Sequence, residues 1–216
     1  MEGRRMKDRT KQGRSVPAKR VRASGKAQRS ASGRYAAELA QILKEFLRKR
    51  AAVLDAAGQA LAAAARAGRK VLVFGNGGSA AEAQHFAAEL VNGMSRREAA
   101  PLAAVALTTD TSALTAIGND RGFDVVFSRQ IEALGSSGDV VLALTTSGAS
   151  ANVLEGLKAA RSKGLVTIAL TGENGGQAAS LADHLLDVPS RSTPRIQEAH
   201  LFILHILAGR METGSG

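Results

Sequence analysis

The sequence predicts an α/β protein, a three-layer α/β/α sandwich around a five-stranded parallel sheet with a long helix ahead of it. Three observations lead there. Five short apolar runs occur at 71–75, 103–107, 139–145, 165–171 and 184–188. They are continuously apolar rather than alternating, as strands buried on both faces are. Small polar residues and then a helical pattern follow each run, at 79–91, 122–134, 150–163, 176–182 and 194–211, and strands alternating with helices make a parallel sheet covered on both sides.

Taken in order, residues 1–34 hold 12 Lys/Arg against Glu2 and Asp8. This Ser/Gly/Arg-rich stretch has little to bury and cannot offset its ordering entropy, so it is expected to be a disordered basic leader. Any contact with nucleic acid is expected to be non-specific, through its charge alone. A domain spanning 35–213 follows. Residues 35–67 are Ala/Leu-rich with helical periodicity and one expected break near Gly58. The run VLVFG (71–75) is a short buried strand closed by glycine, and the four later runs repeat its character.

Of 29 basic and 19 acidic residues, the leader leaves 17 of each for the rest of the chain, so the formal charge of +10 belongs entirely to the leader. The composition, 44% apolar and 22% charged in 216 residues, is globular and suits one large core. The absence of cysteine excludes disulfide scaffolds, thiol catalysis and Cys-type metal centres. No apolar run approaches the ~20 residues of a membrane-spanning helix, and the N-terminus has no secretory apolar stretch, so a cytoplasmic location is expected.

In a sheet of this kind ligands bind beyond the carboxyl ends of the strands. The first strand ends in Gly75-Asn76-Gly77-Gly78-Ser79, and a helix opens at once. Glycines admit a ligand close to the backbone, and the free N–H groups of a helix start favour an anion. The third strand ends in Thr145-Thr146-Ser147-Gly148-Ala149-Ser150, where hydroxyls join the backbone donors in an inventory suited to a phosphate monoester. Neither loop carries a P-loop lysine or the dinucleotide G-x-G-x-x-G spacing.

Within the helix after Ser79, His85 and Glu89 stand at i, i+4, a spacing that brings an imidazole and a carboxylate to one metal or one substrate. A second polar set, Gln197, Glu198, His200 and His205, interrupts the apolar last helix. On a straight helix Gln197 and His205 are about 12 Å apart along the axis, so spacing alone favours His200 as the partner of Gln197.

The segments NGGS (76–79), HFAAEL (85–90), LTTDTSALTAIGND (107–120), TTSGASANV (145–153) and TPRIQEAHLFILHIL (193–207) resemble the sugar isomerase (SIS) domain family, most closely its sedoheptulose 7-phosphate isomerases. The resemblance runs from about residue 35 to 211. It implies the SIS fold and interconversion of sedoheptulose 7-phosphate and D-glycero-D-manno-heptose 7-phosphate in nucleotide-activated heptose biosynthesis for lipopolysaccharide or other glycans. It also implies a homotetramer with active sites between subunits, and one zinc per subunit. By motif position, His85, Glu89, Gln197 and His205 fall on the metal ligands. Glu89 and His205 fall on the catalytic base and acid. Asn76, Gly77, Gly78, Ser79, Glu89, Asn119, Asp120 and Gln197 fall on substrate-binding positions, and Thr145, Thr146, Ser147 and Ser150 on the phosphate loop. Thr145 and Ala149 replace the family's usual Ser and Asn. The alternatives are a non-enzymatic SIS protein that binds the replication initiator, a branch that does not keep Glu89 and His205, or a phosphosugar-sensing module.

Overall fold

The computed structural model describes residues 30–93 and 101–213. The leader expected at 1–34 lies, up to residue 29, outside the described residues. The chain opens with α1 (Ala31–Arg66), whose N-cap Ser30 accepts a hydrogen bond from Gly33 N–H at 3.1 Å, so the helix begins four residues earlier than expected. The expected break at Gly58 does not occur. Gly58 lies on the packed face of an unbroken helix, and a Cβ there would meet Arg210 Cδ at 3.0 Å. The helix tolerates the ~1 kcal/mol propensity cost of a glycine where a neighbouring side chain needs the room.

There follow β1 (Val71–Gly75), α2 (Gly78–Asn92), β2 (Ala104–Ala106), α3 (Thr111–Arg121), a 3₁₀ turn (Phe123–Val125) and α4 (Val126–Leu134). After these come β3 (Val140–Thr145), α5 (Ala151–Ser162), β4 (Val166–Thr171), a 3₁₀ stretch (Gly176–Leu181), β5 (His184–Asp187) and α6 (Thr193–Thr213). All five expected strands are present. The helix expected over 122–134 is shorter, because Gly122 at φ 92° ends α3 and a 3₁₀ turn precedes α4. The α3 helix has no sequence-stripe signature: none of its residues is fully buried, and it is set by the N-cap Asp110, which accepts from Ala113 N–H at 2.9 Å. The expected helix at 176–182 is 3₁₀ rather than α.

The sheet is wholly parallel in the order β2-β1-β3-β4-β5. Its two faces are read off alternate residues. Val71, Val73, Leu142, Leu144, Ile168 and Leu170 pack under α1, α2 and α6. Leu72, Phe74, Val141, Ala143 and Ala169 pack under α4 and α5. Both faces are therefore apolar, as the uninterrupted runs require. The far edge is tied down by the Arg50 guanidinium of α1, which grips Asp187 of β5 in a bidentate pair. At the opposite end of the strands, Asp139 accepts from Lys70 N–H at 3.1 Å, Ser136 N–H at 2.8 Å and Lys70 Nζ at 2.5 Å, partners that hold its carboxyl below the usual range against the opposing effect of burial.

β1 lies between β2 and β3, so the loops after β1 and β3 diverge from neighbouring strand ends, Gly75 standing opposite Leu144. A crevice opens at such a switch point.

Candidate active site

That crevice is a cavity of about 270 Å³ lined by Asn76, Gly77, Gly78, Ser79, Leu144, Thr145, Thr146, Ser150, Thr193 and Gln197. Two helix starts face it. The first backbone bonds of α2 run from Ala80 and Ala81 to Gly77 O, leaving the N–H groups of Gly78 and Ser79 ahead of the ladder. In α5 the first bonds run from Val153 and Leu154 to Ser150 O. The lining contains no charged side chain; its polar groups are amides, hydroxyls and backbone N–H groups. An anion here meets converging neutral donors and two positive helix ends.

The loop after β3 is held from within and from behind. Thr145 Oγ1 lies 3.4 Å from Ser150 Oγ and 3.5 Å from Ser147 Oγ, and Ser147 Oγ accepts from Ala149 N–H at 3.2 Å. Ser147 braces the loop and is not part of the cavity lining. Gly148, at φ 64°, lies against the 172–176 segment so closely that a Cβ would fall 2.1 Å from Gly175 O. Gly78 is needed for another close approach: a Cβ on it would sit 2.5 Å from Gln197 Nε2. This contact brings the first turn of α2 and the first turns of α6 together over the cavity.

About two turns further along both helices stands a second cluster. His85 Nε2 and His205 Nε2 are 2.9 Å apart, the rings meeting edge to face, and Glu89 Oε1 is 3.7 Å from His85 Nε2. All three are accessible, the side chains of His85 and Glu89 being 40% and 22% exposed. Two imidazole nitrogens and a carboxylate are a donor set that zinc takes at catalytic sites. As they stand, neither these three nor any other group of His, Asp or Glu among the described residues forms a ready metal site. Gln197 stands at the cavity end, beside Gly78, seven residues before His85 on the facing helix.

His205, not His200, is thus the histidine of α6 that meets His85. His200 is fully buried on the other side of the helix; its Nε2–H donates to Thr171 O at 3.1 Å, which leaves Nδ1 as the lone-pair nitrogen. That nitrogen faces Glu82 Oε2 at 3.9 Å, and neither atom has a hydrogen-bond partner. Burial pushes the Glu82 carboxyl up to about 7 and the His200 imidazole down to about 4. Asn119 and Asp120 are exposed at the end of α3, with Asn119 Nδ2 donating to Asp120 Oδ1 at 2.7 Å, and neither lines the cavity.

Three residues at or beside the site carried no separate sequence signal. Thr193 reads as the ordinary start of a helix before Pro194. Asn152, in the first turn of α5, reads as turn chemistry. Glu82 lies one helical turn before His85, on the side of α2 that packs on α6.

The family model described as "SIS domain" matches residues 34–172. A "Phosphoheptose isomerase" from Aquifex aeolicus is 55% identical over 160 residues, which cover 74% of this chain and 83% of that protein. Among solved structures, "phosphoheptose isomerase GmhA from Neisseria gonorrhoeae" is 45% identical at a TM-score of 0.79, covering 84% of this chain and 97% of that one. A phosphoheptose isomerase from Francisella tularensis is 36% identical at a TM-score of 0.78, covering 84% and 96%. With a fold that matches these solved structures and identity at this level over most of both lengths, the chain belongs to the SIS-domain family and, within it, to the phosphoheptose isomerases.

Proposed function

We propose that the protein interconverts sedoheptulose 7-phosphate and D-glycero-D-manno-heptose 7-phosphate through an enediol. What supports this is the separation of the two clusters along α2. A cradle of neutral phosphate donors at Gly78 lies about 10 Å along the helix axis from His85, and Glu89 is a turn beyond. A substrate with phosphate at one end and its carbonyl several carbons away suits that spacing. The name shared by the similar proteins points to the same substrate class.

In the direction from ketose to aldose, Glu89 takes a proton from C1 and returns one to C2. His205 moves the proton between the two oxygens, so that O1 loses its hydrogen as O2 gains one. A carboxylate and an imidazole are suited to these transfers. The Thr145–Ser150 loop and the start of α2 hold the phosphate, and Asn76 and Gln197 orient the chain of hydroxyls; that remote binding is spent on alignment at the reacting carbons. His85, Glu89 and His205 would hold a zinc ion, with Gln197 the further ligand that the family resemblance implies. When bound, zinc supplies Lewis acidity at the carbonyl and enediolate oxygens.

The proposal extends to a homotetramer with its active sites between subunits. The face of α6 that bears His205 also exposes Leu201, one turn earlier, at 37%. A cytoplasmic setting and a role in nucleotide-activated heptose synthesis belong to the same proposal; no helix among the described residues is long and apolar enough to cross a membrane.

The test is NMR of zinc-loaded protein with sedoheptulose 7-phosphate in deuterated water. Aldose heptose 7-phosphate carrying deuterium at the carbon that receives the proton is the expected product. No product and no exchange from a folded protein would defeat the assignment.

A further inference from the structure

Asn76 and Asn152 are joined side chain to side chain by two reciprocal hydrogen bonds. Asn76 Nδ2 donates to Asn152 Oδ1 at 2.8 Å, and Asn152 Nδ2 donates to Asn76 Oδ1 at 2.9 Å. Asn76 is the first residue beyond β1 and lines the cavity, whereas Asn152 lies in the first turn of α5, is only 3% exposed, and does not line it. The bonds therefore tie the loop after β1 to the start of α5, the two segments that meet at the cavity.

A primary amide has two N–H donors and two acceptor lone pairs. In this pair each amide spends one N–H and one lone pair on its partner. Asn76 is left with one N–H and one lone pair, and the pairing fixes the plane in which they lie. An unpaired asparagine at the end of a strand would rotate about its side-chain torsions, and its plane would be ordered only when the ligand bound. Here that ordering is already present in the free protein, and burial raises the cost of breaking it, because an unmade hydrogen bond at a site with little water leaves an unsatisfied amide.

We propose that Asn152 is a positioning residue: acting through Asn76, it presents the remaining N–H and lone pair of Asn76 to the sugar hydroxyls as a fixed donor and acceptor. This rests on the sugar-phosphate reading of the cavity and assigns to Asn152 a part in substrate selection without contact with the substrate. The chemistry it serves is a polyhydroxyl chain next to the phosphate, which needs one donor and one acceptor in a plane.

The test is a double-mutant cycle of Asn76→Ala and Asn152→Ala in the full chain. It is read in kcat and KM for sedoheptulose 7-phosphate and in calorimetric binding of that sugar phosphate and of inorganic phosphate. Each single variant should weaken sugar-phosphate binding and lower kcat/KM by roughly tenfold to thirtyfold, as the loss of one or two buried hydrogen bonds does. The double variant should lose little more than Asn76→Ala alone, and inorganic phosphate should bind all four proteins within about twofold. Losses that multiply in the double variant would overturn the proposal, since Asn152 would then act independently of Asn76. A parallel loss of inorganic phosphate affinity in Asn152→Ala would overturn it too, by showing that the start of α5 itself had collapsed. Asn152→Ser keeps a residue suited to a first helical turn and serves the cycle if the alanine variant does not fold; failure of both to fold would make Asn152 structural and end the proposal. Wild-type protein that binds the sugar phosphate without converting it would defeat the isomerase reading and leave the binding cycle intact.

Discussion

His85 and His205 stand 120 residues apart in the chain with their Nε2 atoms 2.9 Å apart, joined by the packing of α2 on α6. Two ring nitrogens turned on one another beside the Glu89 carboxylate need a shared proton or a cation between them. Replacement of either by alanine should cut bound zinc, measured by elemental analysis of the purified protein, and lower turnover by a hundredfold or more. His200→Ala should leave zinc content unchanged, because His200 faces Thr171 and Glu82 instead.

Glu89→Gln keeps the side-chain volume and removes the base. Turnover should fall by roughly 10² to 10⁴-fold, the range for loss of a general base, and exchange of the substrate proton with solvent should fall with it. The unfolding midpoint should stay near that of the wild type, since Glu89 is partly exposed and its contact to His85 is 3.7 Å. Exchange that persisted at the wild-type rate would remove Glu89 from the role.

Two glycines of the cavity region separate steric cost from conformational cost. Gly148→Ala meets Gly175 O at 2.1 Å and must also hold φ 64°. It should destabilise the protein by about 2 kcal/mol or more in urea unfolding and raise KM. Gly77→Ala holds φ 55° but meets nothing within 4 Å. With ψ at −121° it lies outside the left-handed helical well, in a region that favours glycine, so the cost should be purely conformational, about 1–3 kcal/mol.

The buried Glu82–His200 pair predicts a pH signature in stability. Folded Glu82 keeps its proton up to about pH 7 against an ordinary value of 4.5, so its contribution is full below 4.5 and is lost as pH rises towards 7. Folded His200 stays neutral down to about pH 4 against 6.5, so its contribution is full above 6.5 and is lost as pH falls towards 4. The two slopes oppose each other between 4.5 and 6.5. In Glu82→Gln only the histidine slope remains. The stability of that variant relative to wild type should therefore rise between pH 4.5 and 7, by about 2–3 kcal/mol in urea titrations. A difference independent of pH would show that Glu82 is solvated in the folded protein.

Much of this protein was determined by local sequence. Five uninterrupted apolar runs specify a sheet buried on both faces, because each strand alternates its side chains between two apolar layers, as Leu72 and Val73 do. The loops 76–79 and 145–150 were legible as the walls of a pocket because glycine and hydroxyl residues at a strand-to-helix turn leave backbone donors open at the sheet edge. The pairing of Glu89 with His85 follows from one helical turn. What sequence spacing cannot contain is which face of one helix meets another. Only the packing of α6 on α2 turned His205 outward to His85 and His200 inward to Thr171. The same holds for the continuity of α1 through Gly58, for α3, which is set by a cap rather than an apolar stripe, and for the Asn76–Asn152 pair. Each of these depends on a neighbour far along the chain or on a single end contact, and hydrophobic periodicity records neither.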